Sequence, residues 1–312
     1  MPNLEIEILG IRLKNPVIAS SGTFGYGLEF ASILDLNALG GLVVKGLSRE
    51  PIAGNPEPRL VETASGMLNS VGLQNVGVRA FVAEKLPSLA KLGTAVFANV
   101  FGYRPEDYVE VIRVLEDAEG LAGYELNVSC PNTKHGGMQF GSDPVLLAEV
   151  AGMAKKAAAR RPLLVKLSPN VGDIAAMARA AEEAGADAIS LVNTFSGLAV
   201  DARSRRPLLG AGFGGLSGPA IKPIALRMVY EAARAVRIPV IGMGGISSGE
   251  DVAEYLICGA TATQVGTATF WDPQAPARLV GEFRSFLEGQ GISSAAALVG
   301  TLRMDQDAPE SR

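Results

Sequence analysis

Two cysteines, one histidine and one tryptophan in 312 residues remove several chemistries before any motif is read. Cys130 and Cys258 are far apart and form no disulfide framework, which fits a reducing compartment. With His135 they make no zinc set, and they fall short of the four thiolates of an iron–sulfur cluster. There is no excess of positive charge: 28 Lys and Arg face 32 acidic residues, a net charge of −4, and no basic tract stands out. Nucleic acid and anionic membrane surfaces are therefore not expected partners. No uncharged apolar run approaches the length of a membrane span. The start, Met1-Pro2-Asn3-Leu4-Glu5, lacks the charged and apolar regions of a signal peptide, so a cytoplasmic location is expected.

What remains is apolar and rhythmic. Hydrophobic residues make up 48% of the chain, enough to bury the core of one barrel-sized domain over 1–312. Leu4 to Leu13 alternates around Gly10 and predicts a short hairpin. Eight short runs follow, at 16–20, 41–45, 95–101, 123–129, 163–168, 188–194, 239–245 and 262–268. They are rich in Val, Ile and Leu and alternate little, as strands covered on both faces do. Helix-period segments lie between them at 76–91, 105–116, 144–159, 174–184, 219–236 and 250–258. This order predicts an α/β fold, a closed (β/α)8 TIM barrel, with a doubly wound open sheet as the alternative. Two connections, 46–74 and 196–218, exceed simple βα turns and predict insertions over one barrel mouth. The polar tail at 304–312 is expected to fray.

In such a barrel the chemistry gathers where strands end. Those ends carry Ser21, Lys45-Gly46, Asn99, Asn127, Lys166, Asn193-Thr194, Gly244-Gly245 and Gly266-Thr267, which is two lysines, three asparagines and no carboxylate. Buried lysines are costly unless they meet an anion or a hydrogen-bonding ligand; structural ion pairs inside the barrel are the alternative. The glycine pairs after the last two strands sit where barrels often bind phosphate, although tight turns alone would also use them.

The run Glu125-Leu126-Asn127-Val128-Ser129-Cys130-Pro131-Asn132 passes from apolar strand to polar loop. Pro131 holds Cys130 extended, where its thiolate could act as a general base; a small buried hydrophobe is the other fate of a lone thiol. Three features are set aside. Gly210-Ala211-Gly212-Phe213-Gly214-Gly215 fits a dinucleotide fingerprint but follows no real strand. His135 decorates the Cys130 loop, where it could tune the thiol. Cys258 sits in a helical pattern and packs. A neutral polar cradle, two lysines, a phosphate site and one thiol together suggest a flavin mononucleotide (FMN) redox enzyme acting on a substrate rich in amides and imides, with a lysine stabilising the anionic reduced ring.

The same residues carry a resemblance along nearly the whole chain. Asn15-Pro16-Val17 through Ser21-Gly22-Thr23-Phe24-Gly25, Asn69-Ser70-Val71-Gly72-Leu73-Gln74-Asn75, Asn127 to Asn132 and Gly242-Met243-Gly244-Gly245-Ile246 resemble class 1 dihydroorotate dehydrogenases. The resemblance implies oxidation of dihydroorotate to orotate in pyrimidine synthesis, with FMN bound. It implies Cys130 as the base taking the C5 proton, on a loop that closes over the substrate. Substrate would be held by Lys45, Asn69, Ser70, Val71, Gly72, Leu73, Asn127, Asn193 and Thr194. FMN would be held by Ser21, Lys45, Gly46, Asn99, Asn127, Lys166, Val192, Gly218, Gly244, Gly245, Gly266 and Thr267. Thr23 stands where many relatives have cysteine, a difference expected to matter little.

Within class 1, residues 133–141 and 22–27 resemble the NAD-linked branch. A chain with two cysteines and no dinucleotide fold cannot pass electrons to NAD alone. This branch implies a partner subunit carrying FAD and a [2Fe–2S] cluster, in an assembly of two catalytic and two electron-transfer chains. A fumarate-linked enzyme working without a partner, and a non-catalytic flavin- or phosphate-binding barrel, are the alternatives.

Overall fold

The computed structural model describes residues 1–129 and 140–304. Eight parallel strands close into a barrel: β1 Val17–Ala19, β2 Gly41–Leu47, β3 Ala95–Val100, β4 Gly123–Asn127, β5 Leu163–Lys166, β6 Ala188–Leu191, β7 Val240–Met243 and β8 Ala262–Val265. Closure comes from β8 pairing with β1, Gln264 opposite Ile18 and Val265 opposite Ala19. All eight predicted runs became barrel strands, and the open-sheet alternative is excluded. Their side chains are buried on both faces because helices cover the outside while the inside fills itself.

The helices follow the predicted periods closely. Pro105–Glu116, Pro144–Ala157, Ile174–Glu183, Lys222–Ala235 and Gly249–Ile257 each follow a strand. The stretch predicted at 76–91 is broken, with a π-helical turn at Phe81–Lys85 between two short α-helical pieces. A further helix, Ala275–Gly289, seals the barrel after β8. Its signal was in the sequence: Ala275, Leu279, Phe283 and Leu287 recur every fourth residue and are all fully buried. Between β1 and β2 the described residues form only 3-10 turns, at Leu28–Phe30 and Leu36–Ala38.

The N-terminal hairpin pairs Ile6–Ile8 with Ile11–Leu13. Its turn residues Leu9 and Gly10 have φ of 60° and 71°, the two positive angles that match a tight turn to the strand twist.

The two long connections are not independent loops. Phe195–Leu198, Phe213–Ser217, Gly66–Asn69 and Leu60–Thr63 form one antiparallel sheet in that order. The insertion after β2 and the insertion after β6 thus meet at the C-terminal mouth and brace each other. The last three residues of the Gly-rich run 210–215 open the inner strand Phe213–Ser217 of that sheet.

Candidate active site

Strand alternation decides what faces the barrel axis. Tyr124 of β4 points outward, donating from its hydroxyl to Glu116 Oε1 at 2.8 Å on the neighbouring helix. Glu125 and Asn127, one position off that phase, point inward. Asn127 lies level with Lys166 of β5, and both are expected site residues.

Glu125 was not expected. The predicted strand ends held no carboxylate, yet this side chain is fully buried inside the barrel. Its Oε1 accepts from Asn99 Nδ2 at 2.8 Å and lies 3.4 Å from Lys166 Nζ. Its Oε2 accepts from Ser190 Oγ at 3.0 Å and Gln264 Nε2 at 2.5 Å. The ion-pair alternative for a buried lysine is therefore realised at Lys166. At Lys45 it is not: among the described residues no ion pair to Lys45 is formed within 4 Å. Burial pushes the Lys45 ammonium below its ordinary pKa, the distant charge of Glu29 opposing and that of Arg59 adding.

Two groups of predicted residues converge on this mouth. The first is amide-rich. Asn193 donates from Nδ2 to Asn127 Oδ1 at 3.3 Å, and Thr194 N donates to Asn193 Oδ1 at 2.9 Å. Thr194 presses on Gly215, where a Cβ would overlap its hydroxyl, and the Gly215 carbonyl accepts from Asn69 Nδ2 at 3.1 Å. Asn69 is thereby tied to Asn127 through the inserted sheet. Ser70, Val71, Gly72 and Leu73 follow it, braced by Asn55: its Nδ2 donates to Ser70 Oγ at 2.9 Å and its backbone N–H to the Val71 carbonyl at 3.1 Å.

The second group is built from glycines. A Cβ on Gly245 would lie 2.8 Å from the Gly218 carbonyl, and one on Gly218 would lie 2.7 Å from Gly66 Cα and 3.5 Å from Thr267 Cγ2. Gly218 and Gly245, at φ 96° and 72°, also take a backbone region that disfavours side chains. Gly46 packs on Asn99, its hypothetical Cβ 2.9 Å from Oδ1. Ser21 and Thr267 are buried at the ends of β1 and β8, and the Val192 N–H donates to the Met243 carbonyl, one residue before Gly244.

Thr23 carries a signal that the sequence did not reveal. Its Oγ1 is buried with no hydrogen-bond partner among the described residues. It lies 3.7 Å from the point where a Gly266 Cβ would be. Cys258 packs on a helix, its thiol pushed up by burial. Cys130 and His135 fall outside the described residues.

Residues 3–287 match the dihydroorotate dehydrogenase family. The chain belongs to that family. A relative from Solibacter usitatus is 71% identical over 97% of this chain and 99% of its own length; it bears, provisionally, the name dihydroorotate dehydrogenase A (fumarate). Relatives from Geobacter sp. (strain M21) and Geobacter sulfurreducens, 51% and 52% identical over the same shares, are named dihydroorotate dehydrogenase B (NAD(+)), catalytic subunit. Enzymes of this family are oxidoreductases that bind FMN, and the mouth fits such a group. Its glycines let neighbouring connections pack closely around the mouth, and glycine also permits the close backbone approach that a phosphate needs. Among the described residues the buried Thr23 hydroxyl has no hydrogen-bond partner, a place that a polar ligand atom could take. Among the described residues, no helix is long and apolar enough to cross a membrane.

Proposed function

We propose that this chain is a single-domain, cytoplasmic catalytic subunit that oxidises dihydroorotate to orotate for pyrimidine synthesis. The observation that supports this reading is the linked amide cradle: Asn193 donates to Asn127 Oδ1, level with Lys166, and Thr194 packs on Gly215, whose carbonyl accepts from Asn69. Neutral amides can both donate to and accept from a ring bearing imide groups, while a lysine answers the substrate carboxylate. Ser70 to Leu73 and Thr194 complete the substrate wall.

On the other side, Ser21, Gly46, Asn99, Val192, Gly218, Gly244, Gly245, Gly266 and Thr267 hold FMN with the two lysines and Asn127. FMN, when bound, accepts the hydride that leaves C6. Cys130 removes the C5 proton, so the C5 and C6 hydrogens depart as a proton and a hydride and a double bond forms between the carbons. The inserted sheet, which carries Asn69, helps orient the substrate.

The purified chain is expected to be yellow and to bleach anaerobically when dihydroorotate is added. Cys130→Ala should stay yellow and bleach about 10²- to 10⁴-fold more slowly, the usual cost of losing a general base. A colourless wild-type protein, or an almost normal rate in the variant, refutes the assignment.

For the electrons' exit we propose the NAD-linked route, through a partner subunit carrying FAD and a [2Fe–2S] cluster in an assembly of two chains of each kind. The loop pattern at 22–27 and the relatives named as catalytic subunits support it. A fumarate-linked enzyme is the second reading, favoured by the name of the 71% identical relative.

A further inference from the structure

The Glu125 carboxylate draws on most of the barrel. Its own strand is β4, and its four donors come from β3 (Asn99), β5 (Lys166), β6 (Ser190) and β8 (Gln264). Each oxygen takes two donors, so the group is satisfied although wholly buried. Replacing a buried ion pair by apolar side chains is often neutral or stabilising. Stability alone is thus a weak reason to place a charge here. Two of the four donors, Asn99 and Lys166, also belong to the set proposed above to hold FMN.

Those contacts have an electrostatic consequence. Lys166 is almost wholly buried, and Glu125 stands 3.4 Å from its ammonium. A bare ammonium beside a flavin favours the reduced, more negative form. A pair of opposite charges acts at a distance as a dipole and favours it much less.

We propose that Glu125 is a positioning residue that holds the Lys166 ammonium and the Asn99 amide in place and offsets the lysine's charge, keeping the potential of bound FMN below what Lys166 alone would set. The proposal rests on the FMN reading above.

The test uses the full chain with FMN, comparing wild type, Glu125→Gln, Lys166→Gln and the double variant. Midpoint potentials are read against reference dyes, and melting temperatures are taken without FMN. Glu125→Gln should raise the potential by at least about 30 mV, a tenfold change in the ratio of affinities for reduced and oxidised FMN in a two-electron couple. Lys166→Gln should lower it, and the double variant should return towards wild type. A carboxylate with only a structural role would lower the melting temperature of Glu125→Gln and leave its potential unchanged, which overturns the proposal. Should Glu125→Gln not fold, the double variant decides. A potential near wild type supports charge offset. A potential as low as that of Lys166→Gln, or failure to fold, overturns it. A wild-type chain that takes up no FMN overturns both this inference and the reading beneath it, whereas a yellow, bleachable wild type with an unmoved Glu125→Gln potential overturns this inference alone.

Discussion

Lys45, proposed to bind substrate and FMN, shows how a single side chain can oppose folding through its burial. Burial lowers its pKa in the folded chain below the ordinary lysine value of 10.5. Between the lowered value and 10.5 the unfolded chain binds the extra proton, so stability from this site rises with pH across that window. Below the window the full burial penalty acts. Lys45→Met should therefore melt higher than wild type near neutral pH in the absence of FMN, with the difference shrinking as pH approaches 10.5. Melting curves across pH check the sign; a gain that grows with pH would contradict it. The same variant should raise the KM for dihydroorotate about 10- to 100-fold, since a hydrogen bond to a charged group is worth about 1.5–3 kcal/mol. Glu125 is the residue that local reading missed. It sits among Tyr124, Leu126 and Val128 in a run that looks uniformly buried, and an acidic residue in apolar company is easily passed over. The available signal was period two: Glu125 and Asn127 share a face, so a polar inward face was legible once Asn127 was placed at the site.

At the scale of elements, the eight barrel strands and most helices were legible because their patterns are local. The inserted sheet was not, because its strands lie far apart in sequence and show little alternation. Leu60–Thr63 is largely exposed, and Phe213–Ser217 is rich in glycine. Its register exists only as a pairing, with Gly215 opposite both Asn69 and Ser196. The absence of a side chain at Gly215 permits that pairing. Thr194, three residues past the end of β6, fills the space where a Cβ would be. Gly215→Ala should displace Thr194 and the strand carrying Asn69 together, at an overpacking cost of about 1–3 kcal/mol. Because most of the residues proposed to hold FMN lie on other connections, Gly46, Val192 and Gly218 excepted, the KM for dihydroorotate should rise more than FMN content falls. Equal losses of both would mean that the sheet supports the whole mouth rather than the substrate side.

For the molecule as a whole, the question is where two electrons go after orotate forms. The described site residues gather at one end of a closed barrel, and the chain has two cysteines, too few to bind an iron–sulfur cluster. A small acceptor must then enter the mouth that orotate has just left, whereas a protein acceptor can draw electrons without entering it. Fumarate in the first case takes up a hydride and a proton and leaves as succinate. It would occupy the amide cradle itself, so orotate should compete with it and the isolated chain should turn over steadily. In the second case fumarate should leave the reduced chain colourless, and NAD reduction should appear only when an iron–sulfur flavoprotein is added. Anaerobic reduction with one equivalent of dihydroorotate, followed by fumarate in one cuvette and by NAD with the partner in another, separates the two. The expected result is recovery of the yellow colour in the second cuvette alone. Rapid recovery with fumarate, slowed by orotate in proportion to its concentration, would assign the chain to the branch that works without a partner.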